Sequence, residues 1–216
     1  MTSRRLFLAS ALAFAATPAL AAGKSVEVAK AFPYLENYWK LPPKDRSRFV
    51  LAYYLKRDGR PASGLNGVIV SGGTRTPLRI GADGRVAPLP TLTQIRAKAK
   101  LEFDVPESTK FNMSMVIEPL ARPAAEMNAA DLALTVAQAA RGARKVAGLM
   151  GLAMPPIDAV LFKGVASGTV VHADGRTAAL PRRDGLVVFQ PSALKTAKTL
   201  RFPKAPSQLV LGPAKD

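Results

Sequence analysis

Two stretches of the chain alternate apolar and polar residues around an Asp-Gly pair. Leu78, Ile80, Val86 and Leu89 flank Asp83-Gly84, and Thr169, Val171, Thr177 and Leu180 flank Asp174-Gly175. A period of two marks a strand with one buried face, and the glycine supplies the positive φ of a tight turn, so each stretch predicts a β-hairpin. The Leu-Pro that closes both predicts a strand end, because proline cannot donate to a sheet ladder. Leu101 and Phe103, and then Met113, Met115 and Ile117, alternate in the same way. Arg48–Lys56 is β-branched and aromatic, which predicts a further strand.

The period changes in two places. Ala29–Lys40 reads as a short helix or an irregular cap around Pro33, closed by Pro42-Pro43. Asn128 opens an Ala-rich run to Met154, with Asp131 in its first turn and Pro155-Pro156 beyond its end. An N-cap, an early carboxylate and a terminal proline predict one long helix. Its stripe of Leu132, Val136, Ala139, Ala143, Val146 and Met150, with Gly142, Gly148 and Gly151, suits close packing against a sheet.

The two hairpins also look alike as sequences. GADGRVAPLP begins at Gly81 and HADGRTAALP at His172, and the likeness runs outward. Val68–Gly73 aligns with Ala159–Gly164, Leu101–Phe103 with Leu200–Phe202, and Met115–Pro119 with Leu209–Pro213. An eight-residue insertion, Arg182 to Phe189, follows Pro181. The expectation is two related four-stranded units, about 66–119 and 157–213. The fold class expected is therefore mainly β (α+β): duplicated antiparallel units in a sandwich-like body, with one Ala-rich central helix and a short N-terminal helix. The expected division is a signal over 1–21, a β unit with its short helix over 22–125, and the long helix with the second unit over 126–216.

Residues 1–22 differ from the rest. A basic start, an apolar run from Leu6 to Ala16, and small residues at Ala19 and Ala21 predict a secretory signal cut after Ala21, too short in its apolar part to span a bilayer. Ser3, Arg4, Arg5, Phe7 and Leu8 resemble the twin-arginine export motif, although Ala9 departs from the lysine often found next. The resemblance implies the twin-arginine export machinery as a partner, with the general secretory route as the alternative, and either route implies a soluble, periplasmic mature protein.

Composition then narrows the chemistry. The chain has 216 residues, 48% hydrophobic, and no cysteine, which excludes disulfides, thiolate metal sites and a cysteine nucleophile. Its formal charge is +16, or +14 once Arg4 and Arg5 leave with the signal. An anionic envelope component is the partner class such a surface favours: a lipid head group, lipopolysaccharide or an acidic glycan. Nucleic acid is not expected, because the cations are not interleaved with aromatic residues.

Candidate catalytic and metal residues are few. His172 is the only histidine and stands at a hairpin shoulder that carries Gly81 in the other copy, so a surface role is expected. Met113, Met115, Met127, Met150 and Met154 have thioethers that suit Cu(I), but strand-face packing explains them better, since Leu209 stands opposite Met115 in the repeat. Gly72-Gly73 and Gly81 lack the spacing of a phosphate loop. No catalytic, metal or cofactor residue is assigned.

PYLENYW, RFVLAYYLK, GLNGVIVSGG, PLRIGADGRVAPLP and FNMSMVIEP together resemble an exported proteobacterial family, domain of unknown function 2987, over about residues 30–119. That family implies no activity and supplies no site residues. RDGRPASGLNGVIV with its hairpin is also similar to transthyretin-like and carboxypeptidase regulatory sandwiches. The functional expectation is a periplasmic, non-enzymatic envelope accessory protein that binds an anionic component. A protein-interaction module and a hydrolase built around His172 are the alternatives.

Overall fold

A computed structural model describes residues 24–148 and 155–214. The expected signal, with Ser3, Arg4, Arg5, Phe7, Leu8, Ala19 and Ala21, lies outside the described residues, as do Met150 and Met154. The first half runs β1 (Lys24–Glu27), α1 (Val28–Ala31), α2 (Leu35–Lys40), a 3-10 turn (Pro43–Asp45), β2 (Phe49–Arg57), β3 (Arg60–Pro61), β4 (Asn66–Ser71), β5 (Thr74–Ile80), β6 (Val86–Ala87), α3 (Leu92–Arg96), β7 (Lys100–Phe103) and β8 (Asn112–Pro119). The second runs β9 (Glu126–Asn128), α4 (Ala129–Ala147), β10 (Ala159–Lys163), β11 (Thr169–His172), β12 (Thr177–Ala179), β13 (Arg182–Arg183), β14 (Leu186–Phe189), β15 (Ala197–Arg201) and β16 (Gln208–Gly212). The chain is mainly β, and one of its sheets curls into a half-barrel.

Three antiparallel sheets form, in the orders β1-β7-β4-β5-β6, β13-β14-β10-β16-β8-β2-β3 and β12-β11-β15-β9. Within the first half, β7 pairs with β1 and β4, β4 with β5, and β2 with β8. Within the second, β15 pairs with β9 and β11, β11 with β12, and β10 with β16. Each half is thus a strand, a helical segment, and then the same set of paired strands. Packing agrees: a Cβ on Gly67 would meet Phe103 and Leu78 at 3.1 and 3.2 Å, and one on Gly168 would meet Phe202 and Leu180 at 2.7 and 2.8 Å.

The duplication is present: Leu101–Phe103 and Leu200–Phe202 lie along equivalent strands, as do Met115–Pro119 and Leu209–Pro213, but the match of Val68–Gly73 with Ala159–Gly164 does not hold. Ala159–Lys163 pairs with β16 as β2 pairs with β8, so it corresponds to β2 and not to Val68–Gly73. The two ADGR turns are locally alike. Gly81 N–H donates to the Arg85 carbonyl and Arg85 N–H to Asp83, just as His172 N–H donates to the Arg176 carbonyl and Arg176 N–H to Asp174. Yet the first turn joins β5 to β6, while the second joins β11 to β12, the counterparts of β4 and β5. A turn motif is satisfied by five residues of local geometry, so it recurs without marking equivalent positions. Arg182–Phe189, read as an insertion, folds as the β13–β14 hairpin and pairs with β10.

The helices follow the pattern with two changes. Ala29–Lys40 breaks between α1 and α2, where Tyr34 takes φ 64° just after Pro33. In α4 the Asn128 side chain accepts from Asp131 N–H at 3.0 Å, and the helix stops at Ala147 with Gly148 at φ 56°, short of Met154. Leu132, Val136, Ala139 and Val146 are buried along it, and full burial of an aliphatic side chain of Leu or Val size stabilises by about 1.5–3 kcal/mol. The unpredicted α3 has a capping box, Thr91 with Gln94.

The first ADGR turn is also a buttress. Leu55 N–H donates to the Gly84 carbonyl at 2.8 Å, and a Cβ on Gly84, at φ 86°, would stand 2.6 Å from the Leu55 carbonyl. Around Gly175, at φ 85°, the space is open. Positive φ alone costs a non-glycine residue about 1–2 kcal/mol. Gly84→Ala is therefore expected to destabilise by about 3 kcal/mol or more and Gly175→Ala by about 1 kcal/mol, in urea denaturation. Equal losses would contradict the buttress.

Candidate functional site

The second half's long helix lies over the first half's strands. α4 crosses β2 closely because Gly142 leaves room for the Phe49 ring: a Cβ there would stand 2.6 Å from Phe49 Cζ. The 3-10 turn sits beside the same helix. Gln138 Nε2 donates to the Lys44 carbonyl at 2.8 Å and to Ser47 Oγ at 3.1 Å, and its Oε1 accepts from Arg48 N–H at 2.8 Å. Arg46 holds the turn from the other side, with its guanidinium 4.9 Å from the Trp39 ring centroid and its Nε donating to the Leu41 carbonyl.

Between turn and helix opens a cleft of about 140 Å³, lined by Lys44, Asp45, Gln138, Arg141, Gly142 and Lys145. It holds three cations and one carboxylate. Lys145 Nζ meets Asp45 Oδ2 at 2.8 Å, and this hydrogen bond, helped by the charges of Lys145, Lys44 and Arg141, holds the Asp45 carboxyl below the usual carboxylate range. Lys44 and Arg141 have no ion-pair partner among the described residues. Arg141 and Lys145 share a helix face by their i, i+4 spacing. The cleft can therefore take up negative charge, with two ammonium groups and one forked guanidinium as donors.

A second polar group of residues has the opposite character. Glu118 is the only acidic or basic residue buried among those described, 5% exposed. Tyr54 O–H donates to its Oε1 at 2.5 Å, Gln208 Nε2 donates to the same oxygen at 2.6 Å, and Arg85 pairs with Oε2 at 2.7 Å. Gln208 also donates to the Tyr54 hydroxyl at 2.7 Å. Every member is satisfied from within the chain, by residues of β2, β8, β16 and the ADGR turn. Such a network locks these elements together.

The residues singled out in the sequence fall elsewhere. His172 Nδ1 lies 2.8 Å from Thr196 Oγ1 at the end of β11. Its other ring nitrogen has no hydrogen-bond partner among the described residues, and the neighbouring Asp174 is paired with Arg176 at 2.7 Å. Met113 and Met115 pack against the core and Met127 is buried. Among the described residues no group of three or more acidic or histidine side chains is placed to hold a metal, and no helix is long and apolar enough to cross a membrane. Along the sequence Lys44, Arg141 and Lys145 stand out only as contributors to the net positive charge. The i, i+4 pair on α4 was visible there; the approach of Lys44 was not.

Compared with known proteins, the chain matches no protein-family model, no curated protein and no solved structure.

Burial raises the phenol of Tyr38, Tyr53 and Tyr54 above the usual value of 10.0, and for Tyr54 the Glu118 carboxylate adds to it. A raised folded-state value means that the stability these phenols contribute is fully present below about pH 10 and is lost as the pH rises beyond it. Thermal melts should hold steady from pH 8 to 9.5 and fall steeply above 10, and Tyr54→Phe should flatten part of that fall. A profile unchanged by the substitution would contradict the coupling.

Proposed function

We infer that the protein is a non-enzymatic accessory of the bacterial envelope, exported through its N-terminal signal, which binds an anionic envelope component. The supporting observation is the cleft of Lys44, Arg141 and Lys145, where three cations face one carboxylate. The disposition of the acids supports it too. Nine ion pairs engage eight carboxylates among the described residues, which leaves the surplus cations free. A surface with its acids neutralised in place presents a net positive field to a polyanion.

One observation favours a second reading as a protein-interaction module. β5 carries β6 at its outer edge, but its counterpart β12 is an exposed sheet edge with no strand beyond it among the described residues. An unpaired edge is a template for another chain.

Binding to heparin, a lipid-free polyanion, separates the two. Lys44→Glu with Arg141→Glu is expected to weaken it about tenfold or more, whereas Asp45→Asn strengthens it a few-fold by removing the competing carboxylate; each charge near an anionic surface is worth about 1 kcal/mol. Calorimetric titration at two salt concentrations measures both effects. Affinity indifferent to all three substitutions would remove the cleft from the reading.

A further inference from the structure

The outward side of α4 changes character along its length. Its C-terminal half carries Arg141, Arg144 and Lys145, all exposed; its N-terminal half shows Ala130, Leu134 and Ala137, also exposed. Leu134 is 54% exposed, and Leu120 is 55% exposed. Leu120 is tied to this helix: its N–H donates to the Arg48 carbonyl at 2.9 Å, and the Arg48 side chain pairs with Asp131 on α4 at 3.5 Å. These two are the only exposed large aliphatic residues among those described. Beside Leu134 runs an open groove of about 460 Å³, with Ala129, Ala133, Phe189, Leu194 and Lys195 among its walls.

Leu134 lies two turns before Arg141 on α4 and shares its groove with Lys195, while the exposed Asp131, one turn ahead, is paired with Arg48; apolar side chains exposed beside cations mark interaction surfaces. A soluble polyanion would engage Lys44, Arg141, Arg144 and Lys195 and gain nothing from Leu134 or Leu120. A bilayer with anionic head groups satisfies both, since it offers phosphate charge at the level of the cations and acyl boundary beneath it for the aliphatic side chains. The buried stripe of Leu132, Val136, Ala139 and Val146 is committed to the core, so α4 can lie on such a surface without leaving its sheet.

The geometry points to an interfacial docking face: α4 lies in the plane of an anionic membrane, with Leu134 and Leu120 in the acyl boundary and Lys44, Arg141, Arg144 and Lys195 on lipid phosphates. This rests on the anion-binding reading and names its ligand as a lipid surface.

The test uses the chain from Ala22 onward, which contains every described residue. Its binding is measured to phosphatidylglycerol–phosphatidylcholine vesicles, to phosphatidylcholine vesicles and to heparin. Leu134→Gln with Leu120→Gln, neutral changes at exposed positions, should weaken binding to the anionic vesicles about tenfold or more while heparin affinity stays within about twofold; a buried aliphatic side chain accounts for such a loss. Arg141→Glu should weaken both. Leu134→Trp should keep vesicle binding and give a blue-shifted indole emission on the anionic vesicles. If the double Gln variant binds those vesicles as tightly as the parent, or loses heparin equally, the membrane inference fails while the anion reading stands. If the parent binds neither heparin nor anionic vesicles, the anion reading itself fails. Equal binding to phosphatidylcholine vesicles would overturn the requirement for lipid charge.

Discussion

Ile117 and Leu211 stand opposite each other where β8 pairs with β16. They are equivalent positions of the two halves, each paired on its other side with the strand that follows its own helical segment, β2 for one and β10 for the other. An antiparallel contact between equivalent residues places a local two-fold relation at the seam. The seam joins two sets of strands into one seven-stranded sheet and gives both halves a shared core. It also brings α4, which follows β9, across β2 of the first half. The cationic cleft exists because of that crossing, with Lys44 coming from one half and Arg141 and Lys145 from the other.

One buried carboxylate stands next to the seam. Glu118 neighbours Ile117 and draws Gln208 from the second half, Tyr54 from β2 and Arg85 from the ADGR turn. A buried charge is tolerated only when paired and hydrogen-bonded, so these partners must arrive together. The requirement favours specificity over stability: apolar packing would hold the seam as well, but it would not demand that the turn and the second half reach it in one register.

Much of the architecture was legible in the sequence wherever local geometry decides it. Asp83-Gly84 and Asp174-Gly175 make the turns that their residues require, and Asn128 caps the helix it precedes. Which strand pairs with which was not legible, because pairing depends on contacts far apart in the chain. The ADGR likeness therefore pointed to a duplication whose later strands, Leu101–Phe103 with Leu200–Phe202 and Met115–Pro119 with Leu209–Pro213, do correspond, but it matched Ala159–Gly164 one strand out. The same limit hid the sites. Glu118 read as the polar half of an alternating strand, and only the approach of Gln208, ninety residues away, makes it a buried hub. Lys44 is an ordinary cation until the 3-10 turn meets α4, whereas Arg141 and Lys145 could have been paired from their spacing alone. Thr91 and Gln94 carry a capping signal, but the segment between two strands is too short to show a helical period.

Nuclear magnetic resonance of the chain on anionic bicelles doped with a paramagnetic head-group lipid would report the functional face residue by residue. Broadening should centre on the amides of residues 44–48, 120 and 130–145, with the β11–β12 hairpin left sharp and no broadening on purely zwitterionic bicelles. Broadening centred instead on Arg176–Arg183, or none on the anionic bicelles, would contradict the assignment of α4 and its cleft as the surface through which the protein works.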